Sequence, residues 1–169
     1  MSTNAMAAEL RIRPAVKSDQ AVLGRYGAAL MRQHHAADPR RFLMTEQPEA
    51  GYGRYLVSLI GEADSRVMVA EEAGAVVGYM YAHTEGTSWR DLRGPCAFLD
   101  DVFVAEAARG RSVGRRLVEA ALDWAKSKGM KQVVLDHLVH NEPAERLFER
   151  LGFRRTMIEM TLDLDSSGS

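Results

Sequence analysis

The chain has 169 residues, 46% hydrophobic and 27% charged, with 22 Lys and Arg against 23 Asp and Glu for a formal net charge of −1. That length and composition suit one globular domain over residues 1–169 with its core over about 10–164, and the balanced charge argues against nucleic-acid binding through a broad basic field. No apolar run approaches the roughly 20 residues of a membrane span and the first residues lack a signal core, so a cytoplasmic protein with no membrane partner is expected, its lone Cys96 forming no internal disulfide.

Residues 10–14 alternate as a short strand, and Ser18 or Asp19 caps a helix with Val22, Leu23, Tyr26, Leu30 and Met31 at helical spacing. Residues 34–39, ending in Asp38-Pro39, are expected to break that helix, and 51–60 form a second one carrying Tyr52, Tyr55, Leu56 and Leu59 on one side. Apolar runs at 66–71 and 76–83, joined through Gly74, read as an antiparallel hairpin. A third strand spans 96–104, with Cys96 at its start as a buried structural thiol. The helix after it runs to about Lys128, with Val113, Leu117, Ala121, Trp124 and Ala125 as its core stripe and Gly129 at its end. A strand at 131–138, a helix capped by Asn141 and closed by Gly152, and a strand at 153–164 complete the chain. The predicted order is β-α-α-β-β-β-α-β-α-β, a mixed sheet flanked by helices.

The most specific chemistry lies between the 96–104 strand and its following helix, in Arg109-Gly110-Arg111-Ser112-Val113-Gly114-Arg115-Arg116. A helix N-terminus offers unpaired N–H groups and the positive end of the backbone dipole, and small residues let an anion approach them closely. Arg115 and Arg116 stand against that dipole unless an anion compensates, so the turn reads as a phosphate site. Its spacing is neither Gly-x-x-x-x-Gly-Lys-Ser/Thr nor Gly-x-Gly-x-x-Gly, which argues against nucleotide hydrolysis and dinucleotide binding. His34, His35, His83, His137 and His140 lack metal-ligand spacing, and no metal is expected.

The turn resembles the acetyl-coenzyme A loop of the GCN5-related N-acetyltransferase (GNAT) superfamily, whose pattern is Gln or Arg, two residues, Gly, one residue, Gly or Ala. Arg109 and Gly114 match its ends, and Ser112 replaces the inner glycine with a small residue that disfavours positive φ. The run Asn141-Glu142-Pro143-Ala144 through Phe148 to Gly152-Phe153 is similar to the family's second signature, and the two signatures occur in the family's order. The resemblance implies a GNAT-type acyl-CoA N-acyltransferase fold, α/β, with a central, mostly antiparallel sheet. It also implies acetyl-CoA as co-substrate and acetyl transfer to a primary amine by direct attack in a ternary complex.

Residue by residue, the resemblance places the donor's pyrophosphate on the N–H groups of Gly110, Ser112, Val113, Gly114 and Arg115, with Arg109 and Arg111 at the rim. The pantetheine arm pairs with the backbone of Val102 and Val104, an N–H near Val102 or Phe103 faces the thioester oxygen, and Asn141 reaches the pantetheine amides. Asp100, then Asp101, stands where an acidic residue takes the acceptor's proton; the same pair reads equally well as a strand-end cap or as salt-bridge partners of nearby arginines. Phe148 occupies the position of a tyrosine that would protonate the leaving thiolate, which leaves Tyr79, Tyr81, His137, a water or unassisted departure. The acceptor wall falls in the region of His34, His35, Glu46, Tyr52 and Tyr55, and the acceptor is a small-molecule amine such as a polyamine or amino acid, or a protein amine. A homodimer is expected. The rival reading keeps the donor site without turnover, as an acyl-CoA-binding sensor or interaction module.

Overall fold

The computed structural model describes residues 9–164. Its strands are β1 (Arg11–Pro14), β2 (Ser65–Glu72), β3 (Ala75–Glu85), β4 (Cys96–Val104) and β5 (Val133–Leu135), and its helices α1 (Gln20–Ala37), α2 (Pro48–Ser58), α3 (Val113–Ser127) and α4 (Glu142–Arg150). The five strands form one sheet in the order β1-β2-β3-β4-β5, antiparallel except for the parallel β4–β5 pair. Among the described residues no helix is long and apolar enough to cross a membrane.

Local chemistry sets the joints. The β2–β3 hairpin turns through Ala73 and Gly74, both at positive φ (52° and 76°), the backbone pair that matches the twist of the flanking strands. Arg13 on β1 donates from Nη1 to Asp19 Oδ2 at 2.8 Å and from Nε to Glu71 Oε2 at 2.7 Å, tying β1 to the start of α1 and to β2. Asp19 also accepts from the Val16 N–H at 2.8 Å, so its carboxylate closes the 3-10 turn before α1 and does not cap α1 itself.

Alternating strand side chains feed a core on each face of the sheet. Val69, Tyr79, Tyr81 and Phe103 pack with Leu23 of α1 and Leu56 of α2, while Ala70, Met80, Ala82 and Leu99 pack with Leu117, Val118 and Ala121 of α3 and Phe148 of α4. The helices α1 and α2 cross closely because glycines line the contact. A Cβ on Gly24 would lie 2.3 Å from the Glu49 carbonyl oxygen, and one on Gly27 would lie 2.0 Å from the Tyr52 ring.

Besides the expected Ser18 or Asp19 cap, which makes no side-chain bond to α1, the sequence expectations need three corrections. The first helix continues through His34 and His35 to Ala37 and stops only at Asp38, because no backbone breaker precedes that residue. The strand expected over 131–138 pairs only as Val133–Leu135. The strand expected over 153–164 does not form: this segment pairs with no strand, and its Ile158, Met160, Leu162 and Leu164 are 81–91% exposed. Its polar residues Glu159 and Asp163 instead pair with Arg41 and Arg40, beyond the end of α1.

Candidate active site

Strand β4 carries the site because its pairing changes along its length. Against β3, Tyr81 faces Asp101 and Ala82 faces Leu99, so Asp100 is an extra residue in a β-bulge. A bulge shifts the two-residue alternation by one and exchanges the faces beyond it. Leu99 therefore packs under α3, while Asp101 and Phe103 turn to the α1–α2 face. Pairing with β5 ends at Leu99↔Leu135, which leaves the β4 edge from Asp100 to Val104 without a strand partner on that side among the described residues.

The bulge gives the two acidic residues different surroundings. Asp101 is 7% exposed, and its Oδ2 accepts from the Tyr52 hydroxyl at 2.8 Å and the Tyr79 hydroxyl at 2.9 Å. Burial raises its pKa, against the opposing pull of those two donors. Burial and the adjacent carboxylate raise both tyrosines as well, so Tyr52 and Tyr79 hold their protons.

Asp100 keeps a path outward. Its side chain is 29% exposed, and its Oδ2 lies 2.6 Å from His83 Nδ1, whose other ring nitrogen is 3.3 Å from Glu85 Oε1. Burial pushes the Asp100 carboxyl up to about 6, with His83 pulling it down. For His83, burial works against the charged ring, but Asp100 and Glu85 outweigh it and raise the imidazole above its usual value. The ring is held flat between Tyr81 (6.0 Å) and Phe98 (5.3 Å), and Arg93 donates to Glu85 at 3.1 Å. Asp100, His83 and Glu85 thus form a line of alternating charge from the bulge to the surface, with the imidazole between two carboxylates. Sequence reading missed the part played by His83, since only the β3–β4 register places it beside Asp100.

The arginine-rich turn follows β4 after a short 3-10 turn, Glu106–Ala108. Gly110 (φ 74°) and Ser112 (φ 64°) both take the left-handed conformation, and Ser112 is the N-cap residue of α3 without bonding its N–H groups. The first-turn N–H groups of α3 therefore have neither a helical acceptor nor a side-chain cap. Arg109 donates to the Val104 carbonyl at 3.1 Å, and Arg111 pairs with Glu72 at 2.9 Å; these bonds close the turn onto the sheet. The conflict foreseen for Arg115 and Arg116 is partly resolved within the chain: Arg115 pairs with Glu119 at 2.7 Å and Arg116 donates to the Leu10 carbonyl. A Cβ on Gly114 would lie 3.4 Å from Leu147 and 3.6 Å from Val104, so this end of α3 sits against both β4 and α4.

On α4, the Asn141 Oδ1 accepts the Ala144 N–H at 3.3 Å, the capping role read from sequence. Phe148 is 8% exposed and packs edge-on against Phe153 at 5.8 Å, with the His137 ring 6.2 Å away. Its geometry is that of a core side chain. Cys96 is buried, and burial raises its thiol pKa. The wall opposite β4 is aromatic: Tyr55 meets Tyr52 at 5.9 Å and Tyr81 at 6.0 Å, both edge-on. His34 and His35 direct Nδ1 to the carbonyls of Leu30 and Phe42, at 2.9 and 2.8 Å.

Comparison with known proteins identifies the family and the fold. The acetyltransferase (GNAT) family profile matches residues 27–153. The N-acetyltransferase YhfO of Bacillus subtilis (strain 168) is 30% identical over 146 residues, covering 85% of this chain and 89% of that protein. The aminoglycoside N(6')-acetyltransferase type 1 of Serratia marcescens is 36% identical over 62 residues, 37% of this chain and 42% of that protein. Among solved structures, a tetramutant of the BH1408 protein from Bacillus halodurans superposes with a TM-score of 0.79 at 24% identity, covering 91% of this chain and 99% of that one. The aminoglycoside N-acetyltransferase AAC(6')-Iy in complex with CoA superposes with a TM-score of 0.70 at 18% identity, covering 95% and 98%.

Proposed function

The chain belongs to the acetyltransferase (GNAT) family, and from that premise we propose that it moves an acetyl group from acetyl-CoA to a primary amine by direct attack, with Asp100 as the general base. One observation carries the reading: the β4 edge from Asp100 to Val104, unpaired among the described residues, leads through the short 3-10 turn Glu106–Ala108 to the turn at Gly110 and the uncapped first-turn N–H groups of α3. An extended thioester arm can add to the first as a strand does, and its diphosphate can rest on the second.

An alkyl ammonium has a pKa near ~10, so the acceptor must lose a proton before it attacks. Asp100, with its carboxyl pushed up to about 6, accepts that proton, and the His83 imidazole beside it favours the ionised, accepting form of the carboxylate. Asp101 holds Tyr52 and Tyr79 in place below it, as a positioning residue. A backbone N–H near Val102 or Phe103 meets the thioester oxygen as charge develops there. Asn141 has amide donors to spare for the pantetheine, since its cap uses Oδ1. Phe148 supplies packing and no proton; a thiolate whose acid has a pKa of about 8.5 leaves without an obligatory donor.

The aromatic wall of Tyr52, Tyr55 and Tyr81 beside two carboxylates favours a small cationic amine as acceptor. Relatives named as an aminoglycoside N(6')-acetyltransferase and an N-alpha-acetyltransferase fit the same chemical class of nucleophile. A cytoplasmic homodimer completes the reading.

Thiol release tests it. Purified protein with acetyl-CoA and a panel of polyamines, amino acids and aminosugars should liberate CoA, detected with DTNB, in an acceptor-dependent manner. Calorimetric binding of acetyl-CoA without release for any amine would favour a non-catalytic acyl-CoA sensor. No binding heat at millimolar acetyl-CoA would remove the donor site.

A further inference from the structure

The loop between β3 and β4 sends one arginine back over the sheet. Its backbone is fixed by a reciprocal pair, the Ser88 N–H to the Arg93 carbonyl at 2.9 Å and the Arg93 N–H to the Ser88 carbonyl at 3.0 Å. The Arg93 side chain is only 13% exposed, and a guanidinium kept from water needs a partner for each of its donors. Nη2 donates to Glu85 Oε2 at 3.1 Å and to Asp91 Oδ2 at 3.2 Å, Nη1 donates to the Cys96 sulfur, and the group lies over the Phe98 ring at 4.5 Å. Phe98 in turn stacks on His83 at 5.3 Å, the two rings 9° from parallel. Arg93 thus reaches the His83 imidazole along two routes, a carboxylate and a ring.

Both nitrogens of that imidazole face carboxylates, Nδ1 at 2.6 Å from Asp100 and Nε2 at 3.3 Å from Glu85, so one positive charge stands between two anions. The anion that is better neutralised elsewhere draws on it less. We propose that Arg93 is a positioning residue for Asp100: by holding the Glu85 carboxylate and the Phe98 ring, it commits the His83 imidazolium to the Asp100 carboxylate. The inference rests on Asp100 as the base. The two contacts follow that order, the one to Asp100 being the shorter. The other groups around the pair do not supply this balance. Ser65 of β2, opposite His83, carries no charge; Tyr81 stacks on the ring at 6.0 Å; the Tyr55 phenol of α2 keeps its proton; and Asp101 is an anion already bonded to Tyr52 and Tyr79.

Without Arg93, the unbalanced Glu85 charge pulls on His83 and repels an ionising Asp100. In Arg93→Met the His83 imidazole, followed by NMR in the resting protein, should titrate higher than in the wild type. The acid limb of kcat/KM should move up by about half a pH unit or more, with acetyl-CoA KM within about twofold of the wild type. Arg93→Lys, which keeps the charge, should restore most of both shifts. The double variant Arg93→Met, Glu85→Gln should return both, because the unbalanced anion is gone. A merely structural arginine predicts the opposite sign for His83, since a loosened ring titrates back towards free histidine. Should Arg93→Met unfold, Glu85→Gln alone is expected to lower both titrations, and values unchanged from the wild type would overturn the proposal. So would an unmoved or lowered His83 titration in a folded Arg93→Met, or an acid limb that stays in place there although Asp100→Asn abolishes it. The NMR titration needs no turnover. Amines that release no CoA, or an Asp100→Asn enzyme with a wild-type pH profile, count against Asp100 as the base, while the His83 shift judges Arg93 separately.

Discussion

Asp100 and Asp101 are chemically identical neighbours with opposite assignments, and one extra backbone residue separates them. The bulge leaves Asp100 beside His83 with its carboxyl at about 6 and turns Asp101 into the tyrosine-lined interior. If Asp100 is the base, kcat/KM falls as pH drops through about 6, since the carboxyl must be ionised to accept a proton. Asp100→Asn should lower kcat by about 10²–10⁴ and abolish that acid limb; a pH profile like the wild type's would eliminate it from the mechanism. His83 pulls the Asp100 pKa down, so His83→Gln should move the limb to higher pH with little change in KM for acetyl-CoA. Ser112 offers a separate test. A non-glycine residue in the left-handed region costs roughly 1–2 kcal/mol, partly offset by the greater chain freedom of glycine, so Ser112→Gly should stabilise the fold by up to about 1 kcal/mol in urea titration.

Among the elements, the α1–α2 pair and the start of α3 each position one side of the site. Close crossing at Gly24 and Gly27 brings the Tyr52 ring over α1 and its hydroxyl to Asp101. Gly27→Ala would drive a methyl into that ring, so a loss of about 1–3 kcal/mol is expected, with acceptor KM raised more than acetyl-CoA KM; equal effects on both would detach Tyr52 from the acceptor side. Gly114→Leu should raise acetyl-CoA KM and spare kcat at saturation, because the new side chain competes for space beside Val104 and Leu147 where the diphosphate approaches. Both helices were visible in the periodicity of their apolar residues. Their separation was not, since a glycine in a helical pattern reads only as a weak helix former until the element packed on it is known.

At the scale of the molecule, the proposed homodimer should melt at a temperature that rises with protein concentration, because assembly favours the folded state by mass action; a concentration-independent Tm between micromolar and hundred-micromolar protein would speak for a monomer. By itself the sequence determined the order of elements from β1 to α4, the β2–β3 hairpin, the arginine-rich turn that opens α3 and the Asn141 cap, all properties of short stretches of chain in which turn chemistry and apolar period suffice. The Phe153–Leu164 period likewise suggested strand character, yet a strand exists only where an edge accepts its hydrogen bonds, and that depends on the fold. Tertiary structure alone decided the bulge that parts Asp100 from Asp101, the stacking that sets His83 beside Asp100, and the end of β5 that opens β4. Each is a matter of register between segments far apart in sequence, where a slip of one residue reverses every side chain.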